Sequence, residues 1–154
     1  MEPVRFVDCP YGTVVGVQRR IRLADADWGA LLGQEYMPMM KAVDAQGEGH
    51  PCMGYYFGTG EDGVVDFVMG KPARPGAEAT DGLVVRDVPA AHYAVFECGM
   101  AEIGSTWGAI YSAWLPASQW REDEAAVCFE AFAPGCMEGA EPVAIHIPVM
   151  PRTP

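Results

Sequence analysis

Residues 126–132, AVCFEAF, set one carboxylate, Glu130, inside a run that otherwise reads as a buried strand. Side chains alternate along a strand. Cys128, Glu130 and Phe132 therefore share one face; Val127, Phe129 and Ala131 share the other, which reads as core packed against a helix. A carboxylate in apolar company is costly unless it is hydrogen-bonded, protonated or matched by a cation, because desolvation penalises its charged form. Two readings follow: an exposed strand position, or the floor of an aromatic groove that receives a partner.

Aromatic side chains favour the second reading. Tyr56, Phe67, Tyr93, Phe96, Trp107, Tyr111 and Phe132 all fall on expected strands or helices. Most belong in a core, and a minority is expected at a ligand. The candidate binding set is Glu130, Trp107, Tyr111, Tyr56, Phe67 and Phe132, with Glu130 the catalytic candidate if the protein is an enzyme. One carboxylate among aromatic faces suits a flat, delocalised cation, through charge pairing and cation–π attraction.

Other chemical signals are weaker. The stretch GTGEDG at residues 58–63 matches a phosphate-binding glycine pattern in letters. No helix follows it, and Glu61 and Asp62 would repel phosphate, so it reads as a hairpin turn. His50, His92 and His146 are scattered, without metal-ligand spacing. The five cysteines, Cys9, Cys52, Cys98, Cys128 and Cys136, form no CxxC pair and read as reduced structural thiols. No nucleophile elbow is present, and neither a metal nor a cofactor is expected.

The net charge of −11 opposes binding to a nucleic-acid backbone, which requires clustered Lys and Arg. Arg19, Arg20 and Arg22 read as a solvated strand face. No apolar run approaches the roughly 18 residues of a membrane helix. The start MEPVRFVDCP lacks the pattern of a secretory signal. A soluble, cytosolic protein is expected.

The elements that hold these residues come in two copies. WGALLGQEYMP begins at Trp28 and WGAIYSAWLP at Trp107. The two tryptophans are 79 residues apart and the closing prolines, Pro38 and Pro116, are 78 apart, as an internal duplication would leave them. Strands are expected at residues 13–17 and 92–96 before the phrases, and at 53–58, 64–70, 126–132 and 143–149 after them. In the second phrase Trp107, Ile110, Tyr111, Trp114 and Leu115 form one helical stripe, capped by Ser105 or Thr106 and stopped by Pro116. In the first, Asp25 or Asp27 caps a helix carrying Trp28, Leu31, Leu32 and Tyr36 on one face. The stretch KPARPGAEATDG between the halves reads as a loop.

The expected fold is α+β. Two pseudo-symmetric strand-helix-strand-strand modules form one antiparallel sheet, with helices on one face and a ligand groove between modules. Residues 1–154 form a single domain: module one about 1–72, a linker about 72–89, module two about 90–150.

With that pattern in hand, the chain resembles the GyrI-like family, which includes effector-binding domains of AraC- and MerR-type drug-responsive regulators and free-standing gyrase-inhibitor relatives. The matching stretches are VVGVQRR, GYYFG, VDFVMG, VPAAHYAVFECG, WGAIYSAWLP, CFEAF and IHIPV, spread over almost the whole chain. The resemblance implies a groove for bulky, often cationic aromatic compounds. It places Glu130 at the family's acidic position and Trp107 and Tyr111 at its aromatic helix positions. Phe67 stands where the family often has Tyr, so a hydroxyl is missing there; Tyr56 or Tyr111 can replace it. No helix-turn-helix segment is left over, as in a detached effector domain.

Three functions follow. The first is binding of a hydrophobic, cationic small molecule, for sequestration or for signalling to a partner. The second is hydrolysis of the strained cyclopropane in DNA-alkylating natural products, with Glu130 as general acid or base. The third is protein interaction, with a regulator or with gyrase, through an acidic surface. No direct nucleic-acid or membrane contact is expected.

Overall fold

The structure is a computed structural model that describes residues 1–49, 52–80, 82–133 and 142–153. The chain forms two compact units: Gly12–Val88, and Met1–Tyr11 together with Pro89–Pro154. We call them the Trp28 unit and the Trp107 unit.

In the Trp28 unit, β2 (Gly12–Arg22), β3 (Cys52–Gly58), β4 (Val64–Pro72) and β5 (Val84–Val88) are arranged in the order β3-β4-β2-β5. Every pairing among them is antiparallel. Valine-rich sequence suits these strands because β-branched side chains pack well on a pleated surface. The β3–β4 connection, expected as a hairpin, turns through Gly60 and Gly63 at φ 87° and 75°. A helical run covers one face: α1 (Trp28–Ala30), a π turn (Leu31–Tyr36), a 3-10 turn (Met37–Met39) and α2 (Met40–Gln46). Its core joins Val15, Val17, Phe67 and Met69 of the strands to Leu31, Tyr36 and Val43 of the helical run.

The Trp107 unit repeats the plan. Here β1 (Arg5–Cys9), β6 (Ala91–Cys98), β8 (Cys128–Phe132) and β9 (Val143–Pro151) run in the order β1-β6-β9-β8, and β7 (Trp120–Glu122) adds to β9. The helical run is a 3-10 turn (Met100–Glu102), α3 (Ile103–Ala109), a π turn (Ile110–Trp114) and α4 (Leu115–Ala117). Ala94, Phe96, Ile145, Ile147 and Val149 meet Ile110 and Trp114 in its core. The stretch read as a linker thus carries β5, which pairs with β2. The N-terminal segment read with module one carries β1, which pairs with β6. Both strands are short and lack a strong alternating pattern.

The prolines do not end the helices as expected. In both runs the residue before proline donates its N–H five residues back, Met37 to Leu32 O and Leu115 to Ile110 O. Proline has no N–H to give, and its ring crowds the carbonyl four residues earlier. A wider π turn accommodates it, and a further turn follows. The start of the second helix also differs. Glu102 reaches back to accept from Gly99 N–H at 3.2 Å, and the run begins at Met100 rather than at Ser105 or Thr106. In the first helix Asp27 caps as expected, accepting from Ala30 N–H at 3.0 Å.

Gly16 and Gly70 face each other across β2 and β4. A Cβ on Gly70 would lie 2.0 Å from Val15 O, and one on Gly16 2.3 Å from Met69 O. Gly70→Ala is therefore expected to force the ladder apart and lower stability by about 2–3 kcal/mol, read by urea denaturation. A loss under ~0.5 kcal/mol would contradict the close approach.

His146 of β9 stacks on Phe129, ring centroids 4.1 Å apart, and its Nδ1 lies 3.1 Å from Ala144 O. Burial pushes its pKa from 6.5 down to about 4; the Ala144 carbonyl opposes this and Arg5 reinforces it slightly. The unfolded chain then binds a proton that the folded chain refuses between those values. Stability is expected to fall as pH drops from about 6.5 to 4, by on the order of 3 kcal/mol, and this contribution is flat below. His146→Phe should remove that slope; parallel wild-type and variant profiles would refute it.

Candidate functional site

Glu130 belongs to β8 and is 4% exposed. Its register partner on β9 is Ile145, whereas Phe129 pairs with His146. Residues paired across strands share a face, and Ile145 packs with Ile110 and Trp114 beneath the helical run. Glu130 therefore points to the helix side. The expected alternation holds, but its faces are reversed: Phe129, read as helix-facing core, stacks on His146 and meets Tyr93 edge-on on the opposite side. Tyr93 closes that side with its hydroxyl on Val127 O at 2.8 Å.

The helical run supplies the partner. Trp107 of α3 donates its indole N–H to Glu130 Oε2 at 2.6 Å. This short bond offsets part of the cost of burying the carboxyl group. The Trp107 ring stacks on Tyr111, centroids 6.1 Å apart and planes 11° from parallel. The π turn separates Tyr111 from the expected stripe. Ile110 and Trp114 are buried, while Tyr111 is 42% exposed and offers its ring to solvent.

The hydroxyl end of Tyr111 is shielded. It lies 3.8 Å from Cys128 Sγ, and that thiol reaches Glu122 Oε2 at 3.4 Å. Burial pushes both the phenol and the thiol well above their ordinary values, and the Glu122 charge adds to the effect. Both stay protonated near neutrality, so they act as hydrogen-bond donors and Cys128 is no thiolate nucleophile. Phe132 shares the Glu130 face and is half-buried opposite Val143.

The remaining two candidates are in the Trp28 unit. Tyr56 of β3 pairs with Phe67 of β4, ring centroids 4.9 Å apart. Phe67 is 3% exposed and belongs to the core cluster. Trp28 meets both rings edge-on, at 5.2 Å from Phe67 and 6.2 Å from Tyr56. The duplicated tryptophans thus cover different chemistry: an indole N–H on a carboxylate in one unit, an indole edge on two rings in the other.

Sequence reasoning passed over three features. Glu122 was missed because β7 is three residues long. Trp28, 40% exposed, was counted only as core. A cavity of about 450 Å³ lined by Glu2, Phe6, Trp114 and Trp120 depends on β1, which was not anticipated. The three arginines of β2 are each matched by an acid: Arg19 by Glu35, Arg20 by Asp66 and Arg22 by Glu61. Arg20 donates twice to the shielded Asp66, at 2.9 and 3.0 Å, and holds that carboxyl below its ordinary value. Among the described residues no group of three or more His, Cys, Asp or Glu is placed to hold a metal ion. Nor is any helix among them long and apolar enough to cross a membrane.

No curated protein matches the chain. Among solved structures, SAV2435 bound to tetraphenylphosphonium is similar at 16% identity and TM-score 0.75, covering 97% of this chain and 94% of that one. An integron cassette protein of Vibrio cholerae, Cass2, is similar at 18% identity and TM-score 0.67, covering 95% of each chain. The C-terminal domain of EcmrR is similar at 13% identity and TM-score 0.66, covering 96% and 97%. These likenesses establish the fold, the GyrI-like one anticipated from the sequence. Residues 5–149 match the family described as Cass2, integron-associated effector binding protein, so the chain belongs to that family.

Proposed function

We propose that the protein binds hydrophobic, cationic aromatic small molecules at Glu130, with Trp107 and Tyr111 as the stacking surface. The observation that carries this reading is the buried Glu130 carboxylate beneath the Trp107 indole. A desolvated negative charge attracts a cation far more strongly than an exposed one does. The adjoining stacked rings give an organic cation an apolar, π-rich surface. Tetraphenylphosphonium, the compound bound by SAV2435, has this chemistry. The ligand displaces the Trp107 indole from the carboxylate, takes its place as the counter-charge, and rests its rings on Trp107 and Tyr111.

Hydrolysis fits the arrangement less well. A general base must reach water, and Glu130 is 4% exposed with one oxygen held by an indole.

Titration with tetraphenylphosphonium and with neutral triphenylphosphine oxide separates charge from shape. The wild type is expected to prefer the cation. Glu130→Gln should weaken the cation by about 10–100-fold, the equivalent of about 1.5–3 kcal/mol, and leave the neutral compound unchanged. Equal affinity of wild type and variant for the cation would reject the assignment.

Trp107→Phe tests the other partner. It keeps a ring and removes the N–H, leaving a buried carboxylate short of a donor, and is expected to cost about 1–3 kcal/mol of stability in the unliganded protein. Saturating tetraphenylphosphonium should restore much of that loss in a thermal melt, because the cation interacts with the carboxylate in place of the lost donor. A stability equal to wild type without ligand would contradict the role given to the indole.

A further inference from the structure

The strand register places a second carboxylate on the Glu130 face. Glu122 of β7 pairs with Val149 of β9, and Glu130 pairs with Ile145. Val149 and Ile145 are four residues apart on one strand and pack in the same core. Their partners therefore share a face, roughly 13 Å apart at about 3.3 Å per residue. Between them runs the aromatic surface. Trp107 is tied to Glu130, its ring stacks on Tyr111, and the Tyr111 hydroxyl ends at Cys128, whose thiol touches Glu122.

No cationic side chain pairs with Glu122 among the described residues. Its neighbour Arg121 alternates to the other face, opposite Met150. Arg152, at the end of the same β9 ladder, spends its guanidinium on two carbonyls, Ser118 O at 3.1 Å and Leu115 O at 3.0 Å. The donors that reach the Glu122 carboxylate are neutral, the Cys128 thiol and the Tyr111 hydroxyl. A half-buried carboxylate so placed gains from an external cation.

We propose that Glu122 is a second charge-recognition residue of the ligand site, and that the site prefers elongated aromatic dications. The two charges of such a ligand would be about 10–13 Å apart, one end on Glu130 and the other on Glu122, with the aromatic middle on Trp107 and Tyr111. The inference rests on the reading of Glu130 as the ligand carboxylate. Cys128 and Tyr111 then bridge the two acids. Their protons turn toward Glu122 when the site is empty, and the dication's far end replaces them.

The experiment is a calorimetric titration with two probes: a biphenyl carrying an amidinium at each para end, and its monoamidine of the same length. Wild type, Glu122→Gln, Glu122→Asp and Glu130→Gln are compared, with thermal melts as the check on folding. Wild type is expected to favour the bisamidine by about tenfold or more. Glu122→Gln should abolish that preference while changing the monoamidine by less than about twofold. Glu122→Asp, with its charge on a shorter arm, should fall between. Glu130→Gln should weaken both probes. If Glu122→Gln leaves the bisamidine unchanged while Glu130→Gln weakens it, the second charge site is wrong and the Glu130 reading survives. If Glu130→Gln changes neither probe, the Glu130 reading is wrong and the two-acid site fails with it. Equal wild-type affinity for the two probes likewise overturns the dication preference.

Discussion

The hydrogen bond from the Trp107 indole to Glu130 is the constraint around which the Trp107 unit is organised. A strand position one residue away on either side would turn the carboxylate to the opposite face, against Tyr93 and Phe129, where no indole waits. The β8–β9 register instead sets Glu130 opposite Ile145, under the helical run. There the carboxylate is shut away from water and held by the indole N–H. The arrangement sets a buried carboxylate beside two stacked rings. That condition favours an organic cation over an inorganic one, since the walls are rings rather than oxygens.

The duplication gives a second view of the same constraint. Both units put a Trp-Gly-Ala phrase above their strands, and both solve the proline problem with an i to i−5 bond before it. What differs is the strand beneath. Trp28 meets Tyr56 and Phe67 edge-on, so its unit gains packing at that position. Trp107 meets a carboxylate. At this position one unit packs rings and the other holds an acid.

Much of this was legible in the residues. Six strands followed from β-branched runs, and the family from motifs spread over the chain. Glu130 stood out as the lone carboxylate in AVCFEAF, and Trp107 and Tyr111 as its aromatic company. Three things were not readable, for physical reasons. The face of β8 was reversed because Phe129 and Glu130 differ by one residue, and periodicity fixes alternation but not which side meets a helix. The π turn was hidden because Pro116 signals disruption of the ladder without saying whether the helix ends or widens. Glu122 was invisible because a three-residue strand has no pattern, and its closeness to Tyr111 arises only from the β9 register. Phe67, on a family motif, is buried in the core of the Trp28 unit.

The most direct measurement is the indole N–H resonance of Trp107 in a nitrogen-correlated NMR spectrum, assigned by its loss in a Trp107 variant. The account predicts a strongly downfield, slowly exchanging proton in the free protein, as expected for a short bond to a buried carboxylate. On saturation with tetraphenylphosphonium, it should shift and exchange faster than the indole protons of Trp28, Trp114 and Trp120. A Trp107 proton that exchanges freely before ligand, or that stays unmoved when ligand binds, would contradict it.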